Sequence, residues 1–328
     1  MTPAELAAAI AALDPTLEGV EVRGLARISS VGNARAPWRF EAVLRRAGGT
    51  VERVACVLLA KADAGQLETA LGPEFRTIAA LGGSGVPAPR ALWLDETGQH
   101  LGRPFFVTEH VAGTADTAPL RRAEPGGPLG EVGRQLARAA ARLHAFDWRA
   151  AGCGWLAAVE PADAAAAQVR YWKELFLRHR LEANPGLVYA FGWLEAHDPA
   201  PDQVSIVHGD LRFGNLLYDG DRLTALLDWE MVHLGDPVED LGWVYRSVWT
   251  PERALPFAEF LAAYEDEAGA AVDRERLRWH QVLGEVKHAV ISLTAARSFH
   301  DRRTLNLRMA DRAATVPAFL TRVWELIP

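Results

Sequence analysis

The chain has 328 residues, of which 49% are hydrophobic and 23% are charged, and its formal net charge is −7. This is the composition of an ordinary globular protein, with enough chain for two domains or for one domain with two lobes. The acidic balance lacks the basic footprint of a nucleic-acid-binding protein, so no nucleic-acid partner is expected. Two cysteines form neither a disulfide framework nor a zinc spacing.

No apolar run approaches the roughly 18 residues that span a bilayer. The first residues also lack the basic start of a secretory signal, and they are typical of a short amphipathic helix instead. We therefore expect a cytoplasmic protein with no membrane contact. No obligatory protein partner is evident from the sequence.

The first third of the chain, from about residue 20 to residue 109, is predicted to be rich in β-strands. Strand-like runs cover residues 38–44, 53–59, 90–94 and 104–109. One helix is predicted among them, because Phe75, Ile78 and Leu81 recur at helical spacing after a Gly-Pro start.

The rest of the chain is predicted to be mostly helical. Helical periodicity covers residues 129–143, residues 162–180 and the chain from about residue 256 onward. These patterns predict a β-rich N-terminal lobe with one helix (1–110) and a mostly helical C-terminal lobe (111–328). A hinge at residues 109–113 is expected to join them.

The most informative stretch is 204–243. A short apolar strand leads into the sequence HGD, which ends at Asp210, and Asn215 follows five positions later. Two short apolar runs then flank the turn sequence DG at 219–220, a strong hairpin signal. The second run ends at Asp228, in the sequence DWE. The hairpin is therefore expected to return Asp228 to the loop that carries Asp210 and Asn215.

These three side chains have the chemistry that phosphoryl transfer requires. The reaction needs a carboxylate for the proton of the nucleophile and metal ligands that hold Mg²⁺ against the phosphates. Asp210 is predicted to be the base. Asn215 and Asp228 are predicted to supply oxygen ligands to Mg²⁺, which prefers hard oxygen donors.

The sequence HGD, with Asn215 at this offset, resembles the catalytic loop H-x-D-x-x-x-x-N of protein-kinase-like enzymes. Glycine in the middle place is similar to the aminoglycoside phosphotransferase and choline kinase branch, and DWE stands where protein kinases have D-F-G. The run LLDWEMVHLGDPVEDLGW looks closest to kinase-like domains associated with acyl-CoA dehydrogenases. The resemblance covers about residues 20–300. It implies an α+β, bilobal protein-kinase-like fold and a kinase that uses ATP and Mg²⁺ to phosphorylate a hydroxylated small molecule.

Four further residues near this loop receive roles from the resemblance. His208 is expected to orient the loop backbone, and Asp240 to be its buried hydrogen-bonding partner. Arg212 either neutralises the transferring phosphate or is a surface arginine. Glu230 either supports the metal site or is a surface charge.

The nucleotide is expected between the lobes. The hinge residues Glu109 and Val111 would face adenine through their backbone groups. The predicted phosphate-covering loop offers the side chains or backbone of Ser29, Ser30, Gly32 and Asn33.

One position departs from the family pattern. Leu59 stands where the similar domains carry a basic residue at the end of the third strand. Lys61 lies two positions on, which is the same face of a strand. We therefore expect Lys61 to contact the phosphates and to pair with Glu74, early in the N-terminal lobe's helix.

Two other functions stay open. Leu59 is the only feature that favours a nucleotide-binding pseudokinase acting as an interaction module. A metal-dependent hydrolase would require His208, Asp210, Asp228 and Glu230 to form one metal-binding cluster.

The phosphate acceptor is not identified by the sequence. An aminoglycoside, an amino alcohol and a hydroxyacyl metabolite all remain open, and the helical C-terminal region is expected to bind the acceptor. The candidate side chains are Trp172, Trp243, Trp249, Glu285, His288 and Arg297.

Overall fold

The computed structural model describes residues 1–28, 37–61, 69–125, 127–246 and 252–328. Outside these ranges lie the four residues of the predicted phosphate-covering loop, Ser29, Ser30, Gly32 and Asn33, and the acceptor candidate Trp249. None of the helices in the described part of the chain combines the length and the apolar composition that a membrane span requires.

Five strands and two helices of the described chain form the N-terminal lobe. They are α1 (Pro3–Leu13), β1 (Leu17–Arg27), β2 (Trp38–Arg46), β3 (Val51–Ala60), α2 (Leu71–Ala80), β4 (Ala91–Asp95) and β5 (Phe105–Glu109). The strands form one antiparallel sheet in the order β1-β2-β3-β5-β4. The four strands predicted with bounds are therefore confirmed with slightly shifted ends, as is the N-terminal helix.

Both faces of this sheet are covered, because side chains alternate along each strand. On one face, Leu6 and Ile10 of α1 pack in a buried cluster with Leu58 of β3. On the other face, Leu59 packs against the cluster that contains Phe106 of β5 and residues of α2 and the C-terminal lobe. The side chain of Leu59 thus belongs to the packing between the lobes.

The C-terminal lobe is mostly helical. Its helices are α3 (Ala118–Arg122), α4 (Pro128–Ala145), α5 (Ala164–His179), α6 (Pro185–Ala196), α7 (Val238–Val244), α8 (Phe257–Ala268), α9 (Arg274–His300), α10 (Leu307–Asp311) and α11 (Val316–Leu326). Among its described residues, four short strands form two pairs, β6 (Ser205–Val207) with β9 (His233–Gly235) and β7 (Leu216–Asp219) with β8 (Arg222–Leu226).

The centre of this lobe is α9, a helix of 27 residues that is buried on nearly all sides over most of its length. It packs against α5, α6, α7 and α11. A helix surrounded in this way has no polar stripe of its own, so its charged residues must find partners inside the lobe. The loop between β6 and β7, which carries Asp210, lies against this core. The α+β, bilobal protein-kinase-like fold predicted from the sequence is confirmed.

Candidate active site

The hairpin of β7 and β8 brings the two halves of the predicted site together. Its turn contains Gly220, whose φ of +63° lies in the left-handed region that glycine adopts at little cost. After β8, the backbone N–H of Leu227 donates to the carbonyl of Asn215 at 2.8 Å. Asp228 therefore follows directly beside the loop that carries Asp210 and Asn215, as the turn sequence predicted.

The carboxylate of Asp210 is fixed by three different donors. Trp243 Nε1 donates to Oδ1 at 2.8 Å, and Asn215 Nδ2 donates to Oδ2 at 2.6 Å. Arg212 Nε lies between the two oxygens, 3.2 Å from Oδ1 and 3.1 Å from Oδ2. The side chain of Asp210 is 13% exposed. The carboxylate is thus fixed by its donors and remains partly accessible.

Gly209 is required by the shape of the loop. Its φ is +80°, and a Cβ at this position would lie 2.4 Å from the carbonyl oxygen of Met231. Both facts exclude a larger residue, because real Cβ contacts are never that short and left-handed backbone is costly for other residues. This explains the glycine between His208 and Asp210.

His208 orients the loop, as predicted, through both of its ring nitrogens. Nδ1 accepts the backbone N–H of Asp210 at 3.3 Å, and Nε2 donates to the carbonyl of Leu227 at 3.1 Å. Burial lowers the pKa of His208 despite the nearby charge of Asp240, so the ring is neutral. With both nitrogens engaged, this side chain does not provide the metal ligand that the hydrolase hypothesis requires.

Asp240, at the start of α7, is the buried partner of the loop backbone that the sequence predicted. Its carboxylate accepts the N–H of His208 at 2.8 Å and the N–H of Gly209 at 2.9 Å. His144 Nε2, from α4, is 3.1 Å away and completes the set. Burial alone would raise the pKa of Asp240, but the hydrogen bond and charge of His144 and the bond from His208 outweigh it, and the pKa is lowered.

A prediction follows for Asp240. A lowered folded pKa contributes stability that is present above the unfolded value and lost as the pH falls through the folded value. At pH 7 we expect Asp240→Asn to lower the free energy of unfolding by about 3 kcal/mol, since it leaves buried donors poorly paired. Urea unfolding should show the gap to wild type narrowing as the pH falls below the ordinary aspartate value of 3.8. A gap that stays constant or widens in acid would contradict this role.

Lys287 of α9 contacts the backbone of the loop that carries Asp210. This role is not predicted by the sequence. Its buried Nζ donates to the carbonyl of Gly209 and, at 3.1 Å, to Oε1 of Glu239. It also lies 4.6 Å from the ring centroid of Trp243 and 5.5 Å from that of Trp172. The available signal is a lone lysine in an apolar stretch of α9, since a lysine is almost never fully buried unless it is paired.

Asn215 is oriented in a way that suits a metal ligand. Its Nδ2 donates to the backbone carbonyl of Asp210 at 3.0 Å and to Oδ2 of the same residue, so its Oδ1 is turned away from that carboxylate. Asp228 has a φ of +64°, an uncommon conformation for a residue other than glycine. In the described residues no three His, Cys, Asp or Glu side chains are grouped for a metal. One amide and one carboxylate oxygen do fit a magnesium ion that keeps several waters.

The residues predicted on the nucleotide side lie in three different environments. Glu230 Oε2 accepts from Thr69 Oγ1, just before α2, at 3.4 Å. Glu74 of α2 is buried. Lys61 is exposed directly after β3, and its backbone N–H donates to the carbonyl of Pro104 at 2.9 Å. The pairing of Lys61 with Glu74 and the support of a metal by Glu230 stay predictions.

The predicted hinge begins at the end of β5. The N–H of Glu109 donates to the carbonyl of Arg90 at 2.8 Å, and its carboxylate accepts from Arg90 Nε at 2.8 Å. The backbone N–H of Glu109 is thus already engaged within the N-terminal lobe. Val111 is half-buried in the connection that follows. Their contact with a nucleotide stays a prediction.

The acceptor candidates fall into two groups. Trp243 contacts the carboxylate of Asp210 directly, and Glu285 and His288 lie on α9 next to Arg246 and Phe319. Trp172 is buried beside Lys287, and Arg297 pairs with Asp301 at the end of α9, at 2.7 Å.

A sequence model of the phosphotransferase enzyme family matches residues 30–280. Among curated proteins, mouse acyl-CoA dehydrogenase family member 10 is 29% identical over 185 residues, which are 56% of this chain and 17% of that protein. Human acyl-CoA dehydrogenase family member 11 is 27% identical over 51% of this chain and 22% of that protein. The chain thus spans about a fifth of the length of these relatives.

Solved structures show the same fold. A candidate aminoglycoside phosphotransferase of Ralstonia eutropha is 23% identical, with a TM-score of 0.75, and each chain covers 97% of the other. A macrolide 2'-phosphotransferase of Brachybacterium faecium is 20% identical, with a TM-score of 0.55, over 95% of this chain and 97% of that one. The resemblance and the enzyme class predicted from the sequence are confirmed by the family match.

Proposed function

Since the chain belongs to the phosphotransferase enzyme family, we propose that it transfers the γ-phosphate of ATP to a hydroxyl group of a small molecule, with Mg²⁺ as cofactor. The observation that carries this proposal is the fixed carboxylate of Asp210. It lies in one hydrogen-bonded loop with Asn215, and Asp228 adjoins that loop. Positioning of this kind is the main contribution that a protein makes to phosphoryl transfer.

In this proposal Asp210 receives the proton of the acceptor hydroxyl. Trp243 and Asn215 each hold one of its oxygens with a short, direct hydrogen bond. Arg212 Nε is shared between both oxygens at longer distances, so it is the donor that an incoming hydroxyl displaces most easily. Once displaced, Arg212 can turn its positive charge toward the transferring phosphate.

The metal is assigned to Asn215 Oδ1 and to the carboxylate of Asp228, with Glu230 in support. When bound there, Mg²⁺ would neutralise charge on the phosphate oxygens and orient them. The chain's own task is to hold these two oxygens beside Asp210, and the backbone bond between Leu227 and Asn215 supports this assignment, because it brings Asp228 next to the loop. The nucleotide is assigned to the cleft between lobes 1–110 and 111–328.

The structure gives Lys61 and Leu59 different expected roles. Leu59 packs among apolar side chains, so Leu59→Ala should cost about 2 kcal/mol of stability with little effect on the KM for ATP. Lys61→Ala should raise that KM by about tenfold and lower kcat, because a charge-assisted contact to phosphate is lost. Lys173→Ala is the matched control, because it removes an exposed lysine of α5 that pairs with Glu195 of α6. Equal kinetics for Lys61→Ala and Lys173→Ala would contradict a contact between Lys61 and the phosphates.

A thermal-shift measurement with ATP, in the presence and absence of Mg²⁺, tests the proposed function together with an ATP turnover assay on hydroxylated acceptors. A kinase is expected to show Mg²⁺-dependent stabilisation by ATP and turnover. Stabilisation without turnover would support a pseudokinase, and the absence of both effects would reject the proposed function.

A further inference from the structure

Arg246, two residues after the end of α7, is a buried guanidinium that the chain satisfies only in part. Its side chain is 4% exposed, and Nη2 donates to Oε2 of Glu285 on α9 at 2.6 Å. Among the residues that the structure describes, none accepts a hydrogen bond from Nε or Nη1. A buried charged donor without an acceptor is costly, so two of them mark a place where an acceptor from outside the chain would be favoured.

Aromatic rings surround this guanidinium. Its carbon lies 4.8 Å from the ring centroid of Trp243 and 5.4 Å from that of Phe319. The ring of His288 stacks on Phe319 at 4.2 Å. The backbone of α9 passes close to the guanidinium at Gly284, where a Cβ would lie 3.4 Å from Nη1. The planar guanidinium therefore packs against the rings of Trp243 and Phe319, and these contacts orient it without using its hydrogen-bond donors.

Trp243 connects Arg246 to the proposed reaction centre. One indole ring lies under the guanidinium, and its Nε1 donates to Oδ1 of Asp210 at 2.8 Å. A single side chain thus separates the two unpartnered donors from the carboxylate that is proposed to accept the hydroxyl proton.

Positive charges outnumber negative ones around Arg246. The positive charges of Arg246, Arg312, Arg212 and Lys287 all act on the ring of His288. Two of these arginines have carboxylate partners, since Arg212 pairs with Asp210 and Arg246 pairs with Glu285. Arg312 is half-buried in a short turn packed on α9, and the described part of the chain provides it with no ion pair. Burial raises the pKa of Glu285 despite the neighbouring charge of Arg246.

The positive charges act on the pKa of the His288 ring. Burial and the positive charges of Arg246, Arg312 and Arg212 lower its pKa to about 2. The neutral imidazole therefore adds no positive charge of its own. A polycationic acceptor such as an aminoglycoside would be repelled at this position, whereas an anionic one would be attracted.

Resting on the phosphotransferase function proposed above, we infer that the acceptor is an anionic hydroxylated molecule, a hydroxy acid. Its carboxylate accepts hydrogen bonds from the guanidinium donors of Arg246 that the chain leaves without a partner, and its hydroxyl lies against Asp210. Guanidinium groups suit this role because they stay charged when buried and match carboxylate geometry.

Pairs of acceptors that differ only in charge test this inference. Glycerate and 3-hydroxybutyrate are compared with their own amides, in calorimetric binding to the protein with ADP and Mg²⁺ and in ATP turnover. The wild type should prefer each acid by about 10- to 100-fold, the worth of a charge-assisted hydrogen bond. Arg246→Met should abolish the preference and leave amide binding unchanged. Arg142→Met is the control, because it removes an exposed arginine of α4 that pairs with Glu267. This variant should retain the preference for acids.

Glu285→Gln separates a ligand site from a structural ion pair. It keeps the guanidinium and removes its internal carboxylate, so the preference for acids should be kept or increased. If Arg246 and Glu285 form only a structural ion pair, the preference for acids should be lost in Arg246→Met and in Glu285→Gln. If Arg246→Met does not fold, the preference for acids over amides is measured in Arg246→Lys and Glu285→Gln instead.

Equal binding of acids and amides by the wild type would overturn the inference, as would an unchanged preference in Arg246→Met. The same holds for preferred binding of the amides, which would mean that water alone satisfies Arg246. Failure of the proposed function looks different, because acids would still bind in calorimetry while no acceptor supported ATP turnover.

Discussion

Asp210→Asn is expected to lower kcat by about 10²–10⁴, the usual contribution of a general base. The amide keeps the size of the side chain but cannot accept the proton of the acceptor hydroxyl. The hydrogen bonds from Trp243 and Asn215 fix the position of this group without any contact from the N-terminal lobe. The affinity for ATP should therefore change less than about threefold, while steady-state kinetics show the loss in kcat.

Asp219→Asn is the matched control, since it removes an exposed carboxylate at the tip of the neighbouring hairpin. Its kcat should equal that of the wild type. Thermal unfolding of Asp219→Asn should match the wild type. Asp210→Asn should unfold cooperatively but at a lower temperature, because its amide leaves a donor of Trp243 or Asn215 poorly paired. If Asp210→Asn retained a kcat within threefold of wild type, Asp210 would not be the base.

Asp228→Asn is expected to remove the Mg²⁺ dependence of ATP binding. The substitution takes away the charged oxygen ligand, and it suits the left-handed backbone at φ +64°, a region that asparagine tolerates and alanine does not. ATP affinity in Mg²⁺ should fall by more than about 100-fold, since even the outer partners of metal ligands contribute 10- to 100-fold. Calorimetric titration of ATP with and without Mg²⁺ measures this directly.

Asn215→Ala should produce a smaller change in the same direction, because it removes a neutral ligand and loosens Asp210. Asp221→Asn, at an exposed position of the hairpin, is the control and should titrate like wild type. An undiminished Mg²⁺ effect in Asp228→Asn would contradict the proposed metal site. A loss in the control as well would point to a folding defect of the hairpin.

Local patterns in the sequence predict the part of the site that local contacts build. The turn at 219–220 predicts that Asp228 returns beside Asn215, and the bond between Leu227 and Asn215 confirms it. The strands of such a hairpin are adjacent in the chain, so their turn fixes the pairing. Asp240 is also predicted and confirmed as the buried partner of the loop, but this follows from the family resemblance.

Support from distant parts of the chain is not predictable in this way. His144 contacts Asp240 across 96 residues, and Lys287 contacts Gly209 across 78 residues. Pairs this far apart leave no periodic signal in either segment. Arg246 is likewise indistinguishable from a surface arginine in the sequence. Its burial between Trp243 and Phe319 becomes visible only when α7, α9 and α11 are packed together.

The fate of the γ-phosphate of labelled ATP tests the central claim most directly. With Mg²⁺ and a hydroxylated acceptor, the label should appear in an organic phosphate ester, and Asp210→Asn should suppress this product in parallel with ATP consumption. Phosphorus NMR distinguishes an ester from inorganic phosphate. Label found only in inorganic phosphate, at equal rates in wild type and Asp210→Asn, would contradict the assignment of this chain as a small-molecule kinase with Asp210 as its base.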